Sequence, residues 1–215
     1  MSASLRAAIL AATDAVEAAR EPLCLLDAAS GDGDHGVTMT IGARRVRSQL
    51  EQVESDEPEA LIRAAAIGMA GAGGAIGAIY GRGLLAIAAR LREGPAEGDG
   101  DPARLDLLAS ALERAATSTL ALGAGPGDKT VLDTLLPTVA SLADSARAGI
   151  AWAPALAAAD AAARAGAAAT AELEARIGRS ARAGAKSVGT VDPGAASLAI
   201  IVHALVAGAL DRAEA

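Results

Sequence analysis

Asp27, Asp32 and Asp34 place three carboxylates within eight residues, and the glycines between them let the backbone turn tightly enough to aim all three at one point. Three converging anions need a cation. Oxygen ligands favour Mg²⁺ or Ca²⁺, and Mg²⁺ held by a few carboxylates completes its shell with water and substrate phosphates. An EF-hand is excluded, because a loop counted from Asp32 would need Asp or Asn at Gly36 and Glu at Ala43. Taken alone, Gly-Asp-Gly-Asp is equally well read as a solvated turn with a helix cap. His35 follows at the helix entrance, placed to hydrogen-bond a phosphate or the shell of a metal.

Three other glycine-rich stretches run directly into helical patterns: Gly71 to Gly77, Gly123 to Thr130, and Asp192-Pro193-Gly194. The free N–H groups and positive dipole end of a helix start bind anions, so several such entrances in one bundle suit a ligand with several phosphates. Gly123 to Thr130 nearly spells a P-loop, but Asp128 stands where its last glycine belongs and no strand precedes it. A helix-capping loop is the better reading. Arg176 to Lys186 is basic and glycine-containing, able to close over phosphates or to stay a solvated loop. His203 falls in the apolar pattern Leu198, Ile201, Val202, Leu205 and is expected in the core or an interface. Cys24, in a Leu-rich run, is expected to be a buried thiol.

The elements that must position these residues are helical. Apolar residues recur at helical spacing from the N-terminus to about residue 20, where Pro22 disturbs the end, and again over 37–50, 58–70, 77–92, 102–120, 130–147, 152–175 and 194–212. Eight helices are predicted, the fifth opened by Asp101 as cap and Pro102 at its first position. Gly94 to Pro102 reads as an ordinary surface loop. No repeat or linker interrupts the pattern, so 1–215 is expected to be a single domain.

Composition agrees. Hydrophobic residues make up 52% and aromatics only 1%, with no Phe, so the core is built from Ala, Leu, Ile and Val. Alanine favours helix, and the missing aromatics argue against a β-sandwich or barrel. The formal charge of −7 opposes nucleic-acid binding. A single cysteine cannot form an internal disulfide, Asp14 and Glu17 interrupt any signal-peptide core, and charges or prolines break the longest apolar runs. A cytoplasmic chain without a membrane span is expected.

Leu26-Asp-Ala-Ala-Ser-Gly-Asp-Gly-Asp-His-Gly-Val-Thr-Met39 resembles the signature of the dihydroxyacetone kinase L subunit, the nucleotide-binding domain of that family. Three further blocks agree in order: Gly73 to Gly81, Pro126-Gly-Asp-Lys-Thr-Val-Leu-Asp133, and Gly178-Arg179 through Asp192-Pro-Gly194. The resemblance implies an eight-helix antiparallel barrel with nucleotide at one end. Asp27, Asp32 and Asp34 would hold two Mg²⁺ ions bridging the phosphates of ADP or ATP. His35, Gly36, Val37 and Thr38, with Ala75 and Ile76, would contact phosphate oxygens. Gly123 and Val131 would border the adenine, Arg179 would lie near the phosphates, and Asp192, Pro193 and Gly194 would hold the nucleoside end.

The resemblance further implies a subunit that transfers a phosphoryl group to a triose or tetrose held by a separate K subunit, with ATP or a phosphocarrier protein as donor. A homodimer is expected, and a transcriptional regulator is a further candidate partner. Ile76 stands where the family usually has Ser, Thr38 where it has Asn, Val131 where it has Met, and Arg182-Ala-Gly-Ala-Lys-Ser187 replaces Tyr-Leu-Gly-Glu-Arg-Ser. These departures bear on affinity and sugar choice. They also keep open the alternative of a nucleotide-loaded regulatory module without turnover.

Overall fold

In a computed structural model, residues 2–94 and 100–210 are described, and among them lie nine α-helices and two short 3₁₀ helices. These are α1 (Ser2–Ala18), α2 (Arg20–Ala28), α3 (His35–Glu51), α4 (Pro58–Ala70), α5 (Gly74–Arg92), α6 (Gly100–Leu120), α7 (Leu132–Arg147), α8 (Trp152–Ala169) and α9 (Pro193–Leu210). Each long helix packs on the next in the chain, α1 packs on α3, and α9 returns to α1. The result is a closed antiparallel ring of eight helices, α1 and α3 to α9. The ninth, α2, lies outside that ring against α3 and α9.

Small residues bring the walls together. A Cβ on Gly68 of α4 would stand 2.5 Å from Val46 Cα of α3, and one on Gly81 of α5 would stand 2.9 Å from Ala70 Cβ of α4. Pro137, inside α7, has no N–H to give the Asp133 carbonyl four residues back. Gly166 of α8 lies against that freed carbonyl, where any side chain would collide with it. Leu23, Met39, Leu50, Leu61, Leu105, Leu132 and Leu142 are fully buried between the helices. Each such side chain contributes roughly 1.5–3 kcal/mol by leaving water.

The first predicted helix is two. The chain breaks at Ala19, and α2 continues to Ala28 with Pro22 tolerated as its third residue, inside the first turn where an N–H needs no partner. The predicted 152–175 helix ends at Ala169 and passes into a 3₁₀ turn, Thr170–Glu172. Residues 95–99 of the expected loop lie outside the described residues, as do 211 and 212 of the expected last helix. Asp101 does not cap its own helix: its carboxylate accepts from Arg104 and, at 2.7 Å, from the Trp152 N–H that opens α8.

By length and composition, α5 and α9 are each apolar enough to cross a membrane. Here both are staves of the ring, α5 between α4 and α6 and α9 between α1 and α8.

Candidate nucleotide and metal site

Antiparallel order gathers the starts of α3, α5, α7 and α9 at one end of the ring. All the glycine-rich entrances open these four helices, so four positive dipole ends share that end, although the first N–H groups of α7 and α9 are already bonded to Thr130, Val131 and Asp192. The three carboxylates arrive there by different routes. Asp27 sits on the last turn of α2, while Asp32 and Asp34 lie in the turn before α3. One oxygen from each lies within 4.8 Å of one from each of the others.

Asp27 is buried, and its Oδ2 accepts from Asp34 N–H at 2.9 Å and His35 N–H at 3.1 Å. Its carboxylate therefore fixes the entrance of α3 and leaves Oδ1 uncommitted. Gly31 is needed beside it, because a Cβ at that position would collide with Oδ1. Asp32 and Asp34 are half-exposed, and Arg179 donates to both, its Nη2 reaching Asp34 Oδ1 at 2.9 Å. A guanidinium thus neutralises part of an anionic cluster whose donor set, oxygen only and closely converged, fits Mg²⁺.

His35 does not turn its side chain to that cluster. The ring is buried and its Nε2 meets Ser197 Oγ of α9 at 3.1 Å, with Tyr80 Oη of α5 on the same oxygen at 3.2 Å. Ser197 spends its own hydrogen on the Gly194 carbonyl. Both His35 Nε2–H and Tyr80 Oη–H must then donate to it. Burial lowers the His35 pKa to about 4, against the opposing pull of Asp27, so the ring is neutral near pH 7. What Gly36 and Val37 offer a ligand is backbone N–H at a helix start, the His35 N–H being held by Asp27. Thr38 N–H is already bonded to the Asp34 carbonyl.

Ala75 and Ile76 lie in the first turn of α5, Ala75 exposed and Ile76 packed against the first core cluster. That packing accounts for an apolar side chain at 76. Gly123 is exposed just past α6 with φ 96°. Val131, buried at the start of α7, lies beside Gly194, whose Cβ would stand 3.7 Å from Val131 N. The 123–131 loop and the Asp192-Pro193-Gly194 turn are therefore neighbours. Asp192 is buried, accepts from Ala195 N–H at 2.7 Å as the cap of α9, and has its pKa raised by burial to about 6.

Several working residues escaped the sequence reading. Asp133 holds the 123–131 loop, accepting from Gly127 N–H at 2.6 Å and Thr130 N–H at 2.8 Å. Ser197 and Tyr80 tie α3, α5 and α9 together. Lys129 is not a phosphate lysine: it is 2% exposed and points away, into backbone carbonyls. The spacing Gly127, Thr130, Asp133 was the available sign of a loop folded on its own carboxylate. His203 is not in the core. Its side chain is 62% exposed and pairs with the buried Asp160, which also meets Arg164. Cys24 is only partly buried.

Comparison with known proteins gives a consistent result. The DAK2 domain matches residues 29–207. The chain is 37% identical over 196 residues to a D-erythrulose kinase of Mycolicibacterium smegmatis, covering 88% of this chain and 32% of that protein. It is 31% identical over 200 residues to the ADP-binding subunit of a PEP-dependent dihydroxyacetone kinase of Listeria innocua, covering 89% and 87%. The structure of the C. freundii dihydroxyacetone kinase with AMP-PNP and Mg²⁺ superposes with a TM-score of 0.73 at 26% identity, over 95% of this chain and 34% of that one. The chain spans about a third of the length of the erythrulose kinases it matches.

Proposed function

Because the chain belongs to the DAK2 domain family, we propose that it binds ADP or ATP with Mg²⁺ and serves as the nucleotide half of a kinase. Its substrate is a ketose of three or four carbons held by a separate K-type subunit or domain. The convergence of Asp27, Asp32 and Asp34 within 4.8 Å, at an end where four helices begin, carries this reading. A D-erythrulose kinase among its relatives supports the four-carbon end of that range.

Asp27, Asp32 and Asp34 would hold two Mg²⁺ ions. Such ions would supply neutralisation of the phosphate charge that builds up during transfer. In the first turn of α3, where the His35 and Thr38 N–H groups are already bonded, Gly36 and Val37 offer backbone N–H groups to phosphate oxygens, as do Ala75 and Ile76 in the first turn of α5. Arg179, paired with Asp32 and Asp34, stands at the edge of the same cluster, where its guanidinium would lie near the phosphates. Gly123 and Val131 border the base, and Asp192, Pro193 and Gly194 close the nucleoside end. Phosphoryl transfer asks a protein for position and electrostatic stabilisation, and these groups supply both without a covalent protein step. The donor is ATP or a phosphocarrier protein acting on bound ADP.

Thermal unfolding with ADP, ATP and Mg²⁺, singly and paired, tests the site, after assay of the purified protein for retained nucleotide. A rise in Tm that needs both nucleotide and metal supports the reading. Retained ADP points to the phosphocarrier as donor, and freely exchanging ATP points to direct transfer. No rise and no retained nucleotide would overturn it.

A further inference from the structure

Arg179 reaches Asp32 and Asp34 from a long excursion between α8 and α9. Between Glu174 and Val188 only Ala175 and Ser187 are buried, and Arg179 itself is half-exposed. Such a segment has little apolar burial to hold its tip in place.

Its base is held by a cation. Lys129 Nζ lies 2.8 Å from Thr170 O and 3.1 Å from Leu173 O on the outgoing side, and 2.7 Å from Ser187 O and 2.6 Å from Thr190 O on the returning side. An ammonium has three hydrogens, so four carbonyls share them, as they would around a coordinated ion. Lys129 takes φ 62°, in the left-handed region, and the two Asp133 bonds to Gly127 and Thr130 hold the loop in that shape. Around the ammonium, Gly189 N–H meets Ala171 O at 2.8 Å and Ala175 N–H meets Ser187 Oγ at 2.9 Å.

We propose that Lys129 is a positioning residue, whose ammonium pinches the excursion shut and ties it to the 123–131 loop so that Arg179 stands over the carboxylates. This rests on the nucleotide-site reading above. The same contact joins the two sides of that site, since the 123–131 loop belongs to the base end and Arg179 to the phosphate end. Without the cation, Thr170 O would keep only the Leu173 N–H and Ser187 O only the Thr190 hydroxyl, the four carbonyls would face one another with no shared donor, and the excursion would part at its root.

Lys129→Ala removes everything beyond Cβ, which is the fragment n-propylammonium restores; n-propanol restores its volume without the charge. Amide exchange should rise about tenfold over 174–189 in Lys129→Ala and stay at the wild-type level in α3 and α4. Mg-ADP affinity should fall about tenfold, with propylammonium recovering both properties and propanol neither. Lys129→Ala combined with Arg179→Ala should bind no more weakly than Arg179→Ala alone, because Lys129 acts through the arginine. If Lys129→Ala does not fold, Lys129→Gln, which keeps two donors, undergoes the same measurements. Unchanged exchange over 174–189, or losses from the two substitutions that add in full, would overturn the proposal. A wild-type protein that ignores Mg-ADP would overturn the nucleotide-site reading instead, and exchange with and without propylammonium then decides the role of Lys129.

Discussion

Asp27→Asn separates the two tasks of one carboxylate. In the folded chain Oδ2 accepts two N–H groups at the start of α3, while the same carboxylate belongs to the three-carboxylate cluster. Asparagine keeps one acceptor oxygen, so capping is weakened rather than lost. The expected cost is about 1 kcal/mol, within the range of helix-cap substitutions. For a chain of this size that lowers Tm by roughly 2–4 °C. Asp27→Ala leaves both N–H groups without this acceptor at about 1–3 kcal/mol each, and Tm should fall roughly 4–24 °C. The ligand effect is larger in relative terms. At a nucleotide concentration about 100 times Kd, binding stabilises the wild type by about 2.7 kcal/mol, a rise of roughly 5–11 °C. The asparagine variant should lose that rise entirely, because one of three anionic ligands is gone while the fold persists. The assay is thermal unfolding of wild type and both variants, with and without Mg-ADP. An Asp27→Asn protein that keeps the full Mg-dependent rise would refute the three-carboxylate site.

Asp32→Asn should abolish the Mg-dependent rise with little change in the ligand-free Tm, since Asp32 is half-exposed; a ligand-free loss comparable to that of Asp27→Ala would contradict this. Asp192 has a folded pKa of about 6, raised from 3.8 by burial, so the stability it contributes is full below about pH 4 and is lost as pH rises through 6. Asp192→Asn keeps a capping oxygen and should therefore gain on wild type by up to about 3 kcal/mol between pH 4 and 7. Denaturant unfolding across that range measures it, and the difference from wild type cancels the opposite drift from His35, whose lowered pKa makes stability fall as pH drops below 6.5. Gly166→Ala should cost about 1–3 kcal/mol, because its methyl group meets the Asp133 carbonyl; an unchanged Tm would mean that α7 and α8 can separate freely.

The ring itself was legible because its signals are local. Apolar spacing, Pro102 and the glycine entrances mark the wall helices without reference to their neighbours. The carboxylate cluster was legible for the same reason, its members lying within eight residues. What escaped depends on contacts distant in the chain. Lys129 finds its carbonyls 41 to 61 residues further on, and His35 finds Ser197 at a separation of 162. In sequence a lysine in a glycine-rich loop looks solvated, and a histidine beside carboxylates looks turned toward them. The core placement of His203 was lost for another reason. A helix that is apolar almost all round has no polar face to announce which side looks outward, so its periodicity gave no orientation.

An antiparallel ring obeys a parity rule. It closes only with an even number of members, and each added or deleted member would turn every later helix end for end. With eight walls the starts of α3, α5, α7 and α9 fall together, and a ninth helix can be accommodated only outside the count. That is where α2 lies. Lengthening or reorienting α2 leaves the polarity of the ring intact, so this segment can vary while still delivering Asp27. Duplicating or losing a wall helix would send the later entrances to the opposite mouth and split the phosphate-facing N–H groups between two ends. Variation in length should therefore concentrate in α2 and in connections at the far mouth, such as the one between α5 and α6.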